Sequence, residues 1–458
     1  MEKSGVMNMT QGKIMPILFS FTLPIMLSGF LQQLYGAMDS AVVGQFDGPD
    51  ALGAIGATAS LTNLILSLFI GIATGAGIVV AQFIGADDKK EVSRAVHTSY
   101  AFGIAGGIFL MIFGCLFSGS ILMLMSVPED IYPLANKYMT IYFLGAVPSL
   151  IYNFGSGILR AAGDSKRPLY YLAAAAAINI IFNLIFVIVF HMGVTGVAVS
   201  TIMSQTVSAL LVTRRLMKTD EYIKLRLKAI KFHKKMLLRI VKIGIPAGIQ
   251  GAVFSFSNTV IQSTINTFGK AAVAGCSASS QVENFVYMVM NSISVASTTF
   301  IGQNFGAGKF DRCHEGMKKS FAFVTVVGIF LGALMGVFRI PLLKIFTDNQ
   351  NALLYGEERI IVFAATYFLC GIMDVLSGTI RGFGNSFSPM LICLIGVTGS
   401  RMLWIFSVLP FKREIATVYA AFPVSWIITI AALWIYYIFY RKKVKGKYEA
   451  MFAENIKI

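Results

Sequence analysis

The chain has 458 residues, 56% of them hydrophobic and 13% charged, and its 38 Lys+Arg against 22 Asp+Glu give a formal charge of +16. Soluble globular domains carry about 45–50% apolar and about 25% charged residues, so this composition cannot cover a water-exposed surface. Five scattered cysteines and the lack of low-complexity polar tracts exclude a disulfide scaffold and a disordered tail protein.

A bilayer core of about 30 Å takes about 20 mainly apolar residues per helix. Twelve segments meet that requirement: 14–41, 51–80, 93–118, 133–160, 168–190, 194–216, 236–264, 275–300, 315–343, 356–382, 388–410 and 415–440. They far exceed the roughly 10 residues of a membrane strand, so the expected fold is all-α and polytopic. The first segment does not read as a cleavable signal, because its apolar run passes Tyr35 to an acidic residue without a cleavage site.

Sorting the basic residues by loop decides what the excess positive charge means. With the N-terminus cytoplasmic, the inner segments hold 30 Lys/Arg and the outer ones seven: Lys137, Lys270, Arg339, Lys344, Arg359, Lys412 and Arg413. Arg401 alone falls near the middle of a span. This asymmetry obeys the positive-inside rule and is expected to put both termini in the cytoplasm, with the protein in the plasma (inner) membrane. The basic stretch 214–242 then reads as charge beside anionic headgroups, and no nucleic-acid partner is expected.

The chain also matches itself at an offset of 221 residues. Ser156–Arg160 (SGILR), Gly163 and Pro168 reappear as Ser377–Arg381 (SGTIR), Gly384 and Pro389. Gln82, Gly85 and Ala86 fall on Gln303, Gly306 and Ala307, and Pro24 has Pro246 as its near counterpart. Six spans separate the copies, an even number, so the halves run in the same direction. That pattern predicts two pseudo-symmetric six-helix bundles, as in transporters with parallel repeats. The expected division is an N-lobe over 1–217, a cytoplasmic linker over 218–235, a C-lobe over 236–440 and a cytoplasmic tail over 441–458.

Enzyme motifs are lacking. The four histidines are far apart in the sequence, and neither HExxH nor CxxC occurs. Gly302–Lys309 (GQNFGAGK) has the wrong spacing for a phosphate loop, and Phe310 stands where a magnesium-ligating Ser/Thr would be, so it reads as a tight helix-to-loop turn. No catalysis, no cofactor and no ATP hydrolysis are expected; uphill transport would draw on an ion gradient.

Ionisable residues inside the spans cost on the order of 3 kcal/mol each even on insertion scales, so each needs a reason. Four stand out: Asp39, Glu283, Asp374 and Arg401. Asp39 lies about 25 residues into its helix, roughly 37 Å from the inner end, in the outer third of the bilayer. Asn179 and Asn183 form an i,i+4 pair on span five. Asn183 and Thr201 are each about nine residues from the turn joining spans five and six, which places them at a shared depth near that of Asp39. The set offers hard oxygen ligands for Na⁺, or alternatively a network around a proton-titratable carboxyl. Asn and Thr also commonly do no more than bond neighbouring helices. Glu283 and Arg401 each sit halfway along a span, so an ion pair between them is the expected arrangement. Asp374 reads either as a cavity acid or as an end-of-helix partner of Arg381.

Several short motifs carry a family resemblance over residues 10–440. They are Leu34–Asp39 (LYGAMD), Gly48–Ala54 (GPDALGA), Ala81–Ala86 (AQFIGA) and Ser156–Asp164 (SGILRAAGD), with the second-half echoes Phe300–Gly308 (FIGQNFGAG) and Ser377–Gly384 (SGTIRGFG). In these the chain resembles the MATE (multidrug and toxic compound extrusion) family, on its prokaryotic DinF/MepA-like branch. The resemblance implies a monomer that exports amphipathic, mostly cationic drug-like molecules across a lipid bilayer in exchange for H⁺ or Na⁺. It implies that Asp39 is the coupling acid and that Asn179, Asn183 and Thr201 are its polar partners; independently of the resemblance, Pro24 removes one backbone hydrogen bond and is the expected hinge at which the first helix bends. Where several relatives carry a second Asp on helix five, this chain has Asn183. The NorM-type acid on helix seven is absent, Glu283 resembles an acid on helix eight of some members, and Asp374 departs from the helix-ten pattern. The alternative function is a related flippase for a lipid-linked or endogenous metabolite; a membrane enzyme or scaffold fits the isolated Asp39 less well.

Overall fold

A computed structural model describes residues 7–125, 127–219 and 222–456. Asp220 and Glu221 of the expected linker and the last two residues of the expected tail lie outside the described residues. The described chain is helical throughout, without a strand. The helices are α1 (Ile14–Phe46), α2 (Pro49–Gly85), α3 (Lys89–Leu124), α4 (Tyr132–Leu144), α5 (Ala146–Ala161), α6 (Lys166–Leu184) and α7 (Gly193–Lys218). They continue as α8 (Lys234–Asn266), α9 (Lys270–Gly306), α10 (Phe310–Val337), α11 (Arg339–Lys344), α12 (Gln350–Thr366), α13 (Phe368–Gly382), α14 (Phe387–Cys393), α15 (Ser400–Ser407) and α16 (Ile415–Ile456). Among the described residues ten stretches are long and apolar enough to cross a membrane, or twelve when α4–α5 and α12–α13, each bent by 49°, count as one span apiece. These are the spans of a multi-pass membrane protein.

Most helices overrun the apolar segments that mark them. Hydropathy locates only the lipid-embedded part, whereas backbone hydrogen bonding continues until the chain must turn. The turns repeat at the sequence offset. Gly48 and Gly269, before α2 and α9, have φ of 95° and 96°, and Gly163 and Gly384 share φ of 91°. Such left-handed backbone suits glycine because no Cβ clashes there. π-helical turns fall in the fifth span of each half, Ile185–Val189 at the end of one and Leu394–Gly399 in the middle of the other. The Gly302–Lys309 stretch is the turn the sequence suggests: α9 ends at Gly306, Gly308 has φ of 70°, and α10 begins at Phe310.

The chain forms two compact units. The first holds the chain up to Asn8 and Leu23–Gly248, and so most of α1, all of α2–α7 and the first half of α8. Within it α5 packs against α2, α3 and α7, and α6 against α7. Val79, Val80, Leu150, Phe154, Ile158 and Val212 are among its fully buried side chains. The basic connection returns along this unit, where the Arg226 amide donates to His97 Nε2 at 3.0 Å and the His233 amide to Thr98 Oγ1 at 3.3 Å. His97 and His233 thus both anchor this connection, and no group of three metal-type ligands forms among the described residues. Where α2 crosses α8 the backbones touch: a Cβ on Gly75 would lie 2.6 Å from the Gly244 nitrogen, and one on Gly248 would lie 2.8 Å from Leu68 Cα. Gly75→Ala is therefore expected to lower the thermal midpoint of the purified protein, although alanine favours an isolated helix by about 1 kcal/mol. Gly36→Ala, whose Cβ meets nothing within 4 Å, is the matched control and should be neutral or stabilising.

The second unit holds Met9–Thr22 and Ile249–Ile458. Here α13 packs against α9, α10 and α16, and α12 against α9. The segment before α1 is pinned to this unit: the Met9 amide donates to Gln303 Oε1 at 3.2 Å, and Asn304 Nδ2 donates to the Met9 carbonyl at 3.1 Å. In the first unit the repeat counterpart Gln82 instead accepts from Arg239 Nη2 at 2.6 Å.

Candidate functional site

The first unit brings Asp39, Asn179, Asn183 and Thr201 together. Asp39 lies on α1, 6% exposed; the two asparagines lie one turn apart on α6, and Thr201 faces them from α7. Asn183 Nδ2 donates to Asp39 Oδ1 at 2.5 Å and to Asn179 Oδ1 at 3.1 Å. Thr201 Oγ1 donates to Asp39 Oδ2 at 3.3 Å, and Asn179 Nδ2 lies 3.4 Å from Thr201 Oγ1. Both carboxylate oxygens therefore accept from neutral donors. Among the described residues no Lys, Arg or His lies within ion-pair distance of Asp39. An ionised carboxylate held in a low-dielectric bundle without a countercharge is costly unless it exchanges that charge for a proton or a cation.

Five residues around this network were not among the sequence candidates: Ser200, Ser204, Tyr35, Tyr138 and Tyr142. Ser200 donates to Asn183 Oδ1 and lies 3.5 Å from Asn179 Nδ2, closing the network on the α7 side. Tyr35 is four residues before Asp39, hence on the same helix face, and its hydroxyl is 2.9 Å from Ser204 Oγ. Tyr138 and Tyr142, their rings stacked at 6.0 Å, stand within electrostatic reach of Asp39. Helical spacing from the known members was enough to find Ser204 and Tyr35; nothing in the sequence singles out the tyrosines of α4. Pro24 lies within the continuous helix α1, three turns before Tyr35, and the Ser28 hydroxyl donates to its carbonyl at 2.8 Å.

In the second unit the expected ion pair is not the one that forms. Glu283 pairs with Arg359, not Arg401: Nε donates to Oε1 at 2.7 Å and Nη2 to Oε2 at 2.8 Å, with Ser279 Oγ adding a bond at 3.0 Å. Arg359, counted by sequence among the outer basic residues, is 7% exposed. The reason lies in where its helix starts. α12 begins at Gln350, well before the apolar run, so residue 359 is in the third helical turn rather than at a loop edge. Arg401 follows the π-helical turn and is aimed elsewhere: its Nε donates to Ser425 Oγ at 3.1 Å, and its Nη1 to Ser257 Oγ at 3.3 Å and Asn258 Oδ1 at 3.0 Å.

Asp374 on α13 is 6% exposed and makes no ion pair with Arg381 among the described residues. It lines a cavity of about 420 Å³ within this unit, together with Glu283, Arg359 and Arg401. The reading of Asp374 as a cavity acid matches this position. The three second-unit candidates of the sequence, Glu283, Asp374 and Arg401, thus share one chamber with Arg359, though with different partners from those expected.

A sequence model of the MatE family matches residues 24–185 and 246–406. The chain is 30% identical over 394 residues to the probable multidrug resistance protein YpnP of Bacillus subtilis, spanning 84% of this chain and 86% of that protein. With the probable multidrug resistance protein YoeA of the same organism it shares 28% identity over 455 residues, 97% of this chain and 98% of the other. A crystal structure of MATE in complex with MaL6 superposes with a TM-score of 0.90, covering 97% of this chain and 100% of that one. At 19% identity that last likeness is one of fold.

Proposed function

Because the chain belongs to the MatE (multidrug and toxic compound extrusion) family, we propose that it is a secondary antiporter that exports amphipathic cations in exchange for protons, with Asp39 as the coupling group. The observation that carries this reading is a buried carboxylate with only neutral hydrogen-bond partners. Ionised, Asp39 favours a state that accepts a cationic substrate; protonated, it has no charge to offer and the substrate is released. Exchange requires this mutual exclusion, since a ligand shifts a conformational equilibrium only by its differential affinity for the two states.

The choice of proton over Na⁺ rests on the donor set. A hard cation of this kind gathers several oxygen ligands. Here there is one carboxylate, Asn183 having replaced a second, and both amide oxygens already accept hydrogen bonds from within the network. A proton needs only a carboxylate oxygen and leaves the remaining bonds in place. Asn179, Asn183 and Thr201 are then positioning residues for Asp39. Pro24 lacks the N–H that would bond one turn back, so α1 can bend there as Asp39 changes charge. The charge asymmetry supports insertion in the cell membrane with both termini cytoplasmic, and the two-unit chain suffices as a monomer.

Proteoliposomes loaded with ethidium, with ΔpH and ΔNa⁺ imposed separately, test the reading. Ethidium movement driven by ΔpH alone is the expected result. Movement driven only by ΔNa⁺ would transfer the coupling role to sodium, and movement indifferent to both gradients would exclude antiport.

A further inference from the structure

The cavity of the second unit contains two guanidinium groups and two carboxylates, but they do not cancel in pairs. Glu283 and Arg359 consume each other through a two-pronged contact at 2.7 and 2.8 Å. Arg401 is left facing neutral oxygens only, those of Ser425, Ser257 and Asn258. Among the described residues no carboxylate lies within ion-pair distance of it, and its Nη2 has no hydrogen-bond partner. The side chain is 5% exposed, and what it does expose is on the cavity lining. A guanidinium kept in an apolar membrane bundle without a counterion is expensive, and its three bonds to neutral groups orient it in advance.

The surrounding wall is aromatic. The guanidinium carbon of Arg401 lies 4.2 Å from the ring centroid of Phe422, which in turn packs on Phe363 at 4.9 Å and on Trp426 at 6.0 Å. Tyr367 closes the cluster, 5.6 Å from Trp426. At about 420 Å³ the chamber falls within the range of small-molecule sites, about 300–1,000 Å³. A planar fork with a free donor beside such a wall matches a carboxylate joined directly to an aromatic ring.

We propose that this cavity is a binding site for aromatic carboxylates, the carboxylate taken by Arg401 and the ring by the Phe363, Phe422 and Trp426 wall. Asp374, whose Oδ2 has no hydrogen-bond partner among the described residues, gives the same lining an acceptor for an N–H on the ligand. A zwitterionic arene therefore finds a complement for each of its charges. The site goes beyond the export of cations through Asp39 and does not rest on it, because it requires neither a gradient nor transport.

The test is equilibrium binding of anthracene-9-carboxylate to the purified protein in lipid nanodiscs, followed by quenching of tryptophan fluorescence, to which Trp426 contributes from inside the cavity. Saturable quenching is expected, with affinity at least about tenfold higher than for the neutral analogue 9-anthracenemethanol, the gain of a charge-assisted hydrogen-bonded pair. Arg401→Gln is expected to remove that preference by weakening the carboxylate about tenfold or more while leaving the neutral ring unchanged. Arg401→Lys, which keeps the charge but not the fork, should lie between the two. Equal binding of anion and neutral analogue by the unsubstituted protein would overturn the site, and that comparison needs no variant to fold. An Arg401→Gln protein that keeps the preference for the carboxylate would overturn it equally.

Discussion

Asp39→Asn is expected to bring ethidium efflux by cells expressing the protein down to that of cells lacking it, with the variant still folded. The substitution is nearly isosteric and removes only the charge. Its amide oxygen can still accept from Asn183 Nδ2, and its amide nitrogen can donate to the Thr201 hydroxyl, so the network of α1, α6 and α7 survives with one bond reversed. What disappears is the ability to exist in two charge states. Without it, substrate-bound and proton-bound forms no longer exclude each other, and a gradient has nothing to act on. Removing an uncompensated buried charge should leave the thermal midpoint of the purified variant equal to or above that of the original. Efflux at the original rate would refute the assignment, and loss of efflux accompanied by unfolding would move Asp39 from coupling to structure.

The second large effect lies in the other unit. Arg359→Met is expected to destabilise the protein by about 3–5 kcal/mol, because it strands Glu283 as a buried anion with only Ser279 for company. The side chains of the pair are 8% and 5% exposed, so solvent offers little relief. Adding Glu283→Gln to Arg359→Met should recover most of that loss, since a neutral pair of similar volume carries no desolvation penalty. Reversing both charges should likewise rescue either single reversal. Thermal unfolding of the four proteins in one detergent gives the coupling directly. If the single Arg359→Met variant melts with the original, the contact has no structural weight.

The residues that were legible in the sequence, and those that were not, differ in a consistent way. Asp39, Asn179, Asn183 and Thr201 were assembled from depth along their helices plus one i,i+4 relation, and the structure brings all four within bonding distance. For Asn179, Asn183 and Thr201 depth sufficed because α6 and α7 are joined by a short turn, which makes them neighbours; Asp39, 144 residues from Asn183, meets them because α1 is also rotated to face that pair, which depth alone does not fix. The same reasoning applied to Glu283 and Arg401 failed. Those residues lie on helices far apart in the chain, and equal depth says nothing about which way each helix is rotated. Arg359, 76 residues from Glu283, faces it; Arg401 is turned toward α8 and α16. Ser200 was missed for a related reason: two adjacent residues on a helix point about 100° apart, and only the packing shows that both reach the asparagines.

Taken by itself, the sequence determined the helical membrane class, the twelve-segment count, the duplication at an offset of 221 and the identity of the lone first-helix acid. Each of these is a property summed along the chain or repeated within it: apolar length, loop charge, self-similarity. The tertiary structure alone decided which base neutralises Glu283, that Arg401 is left over, and that the second-unit charges line one aromatic chamber. Those facts depend on helix rotation and on contacts between distant segments. A linear pattern fixes where along a helix a residue sits, and only packing determines what it faces.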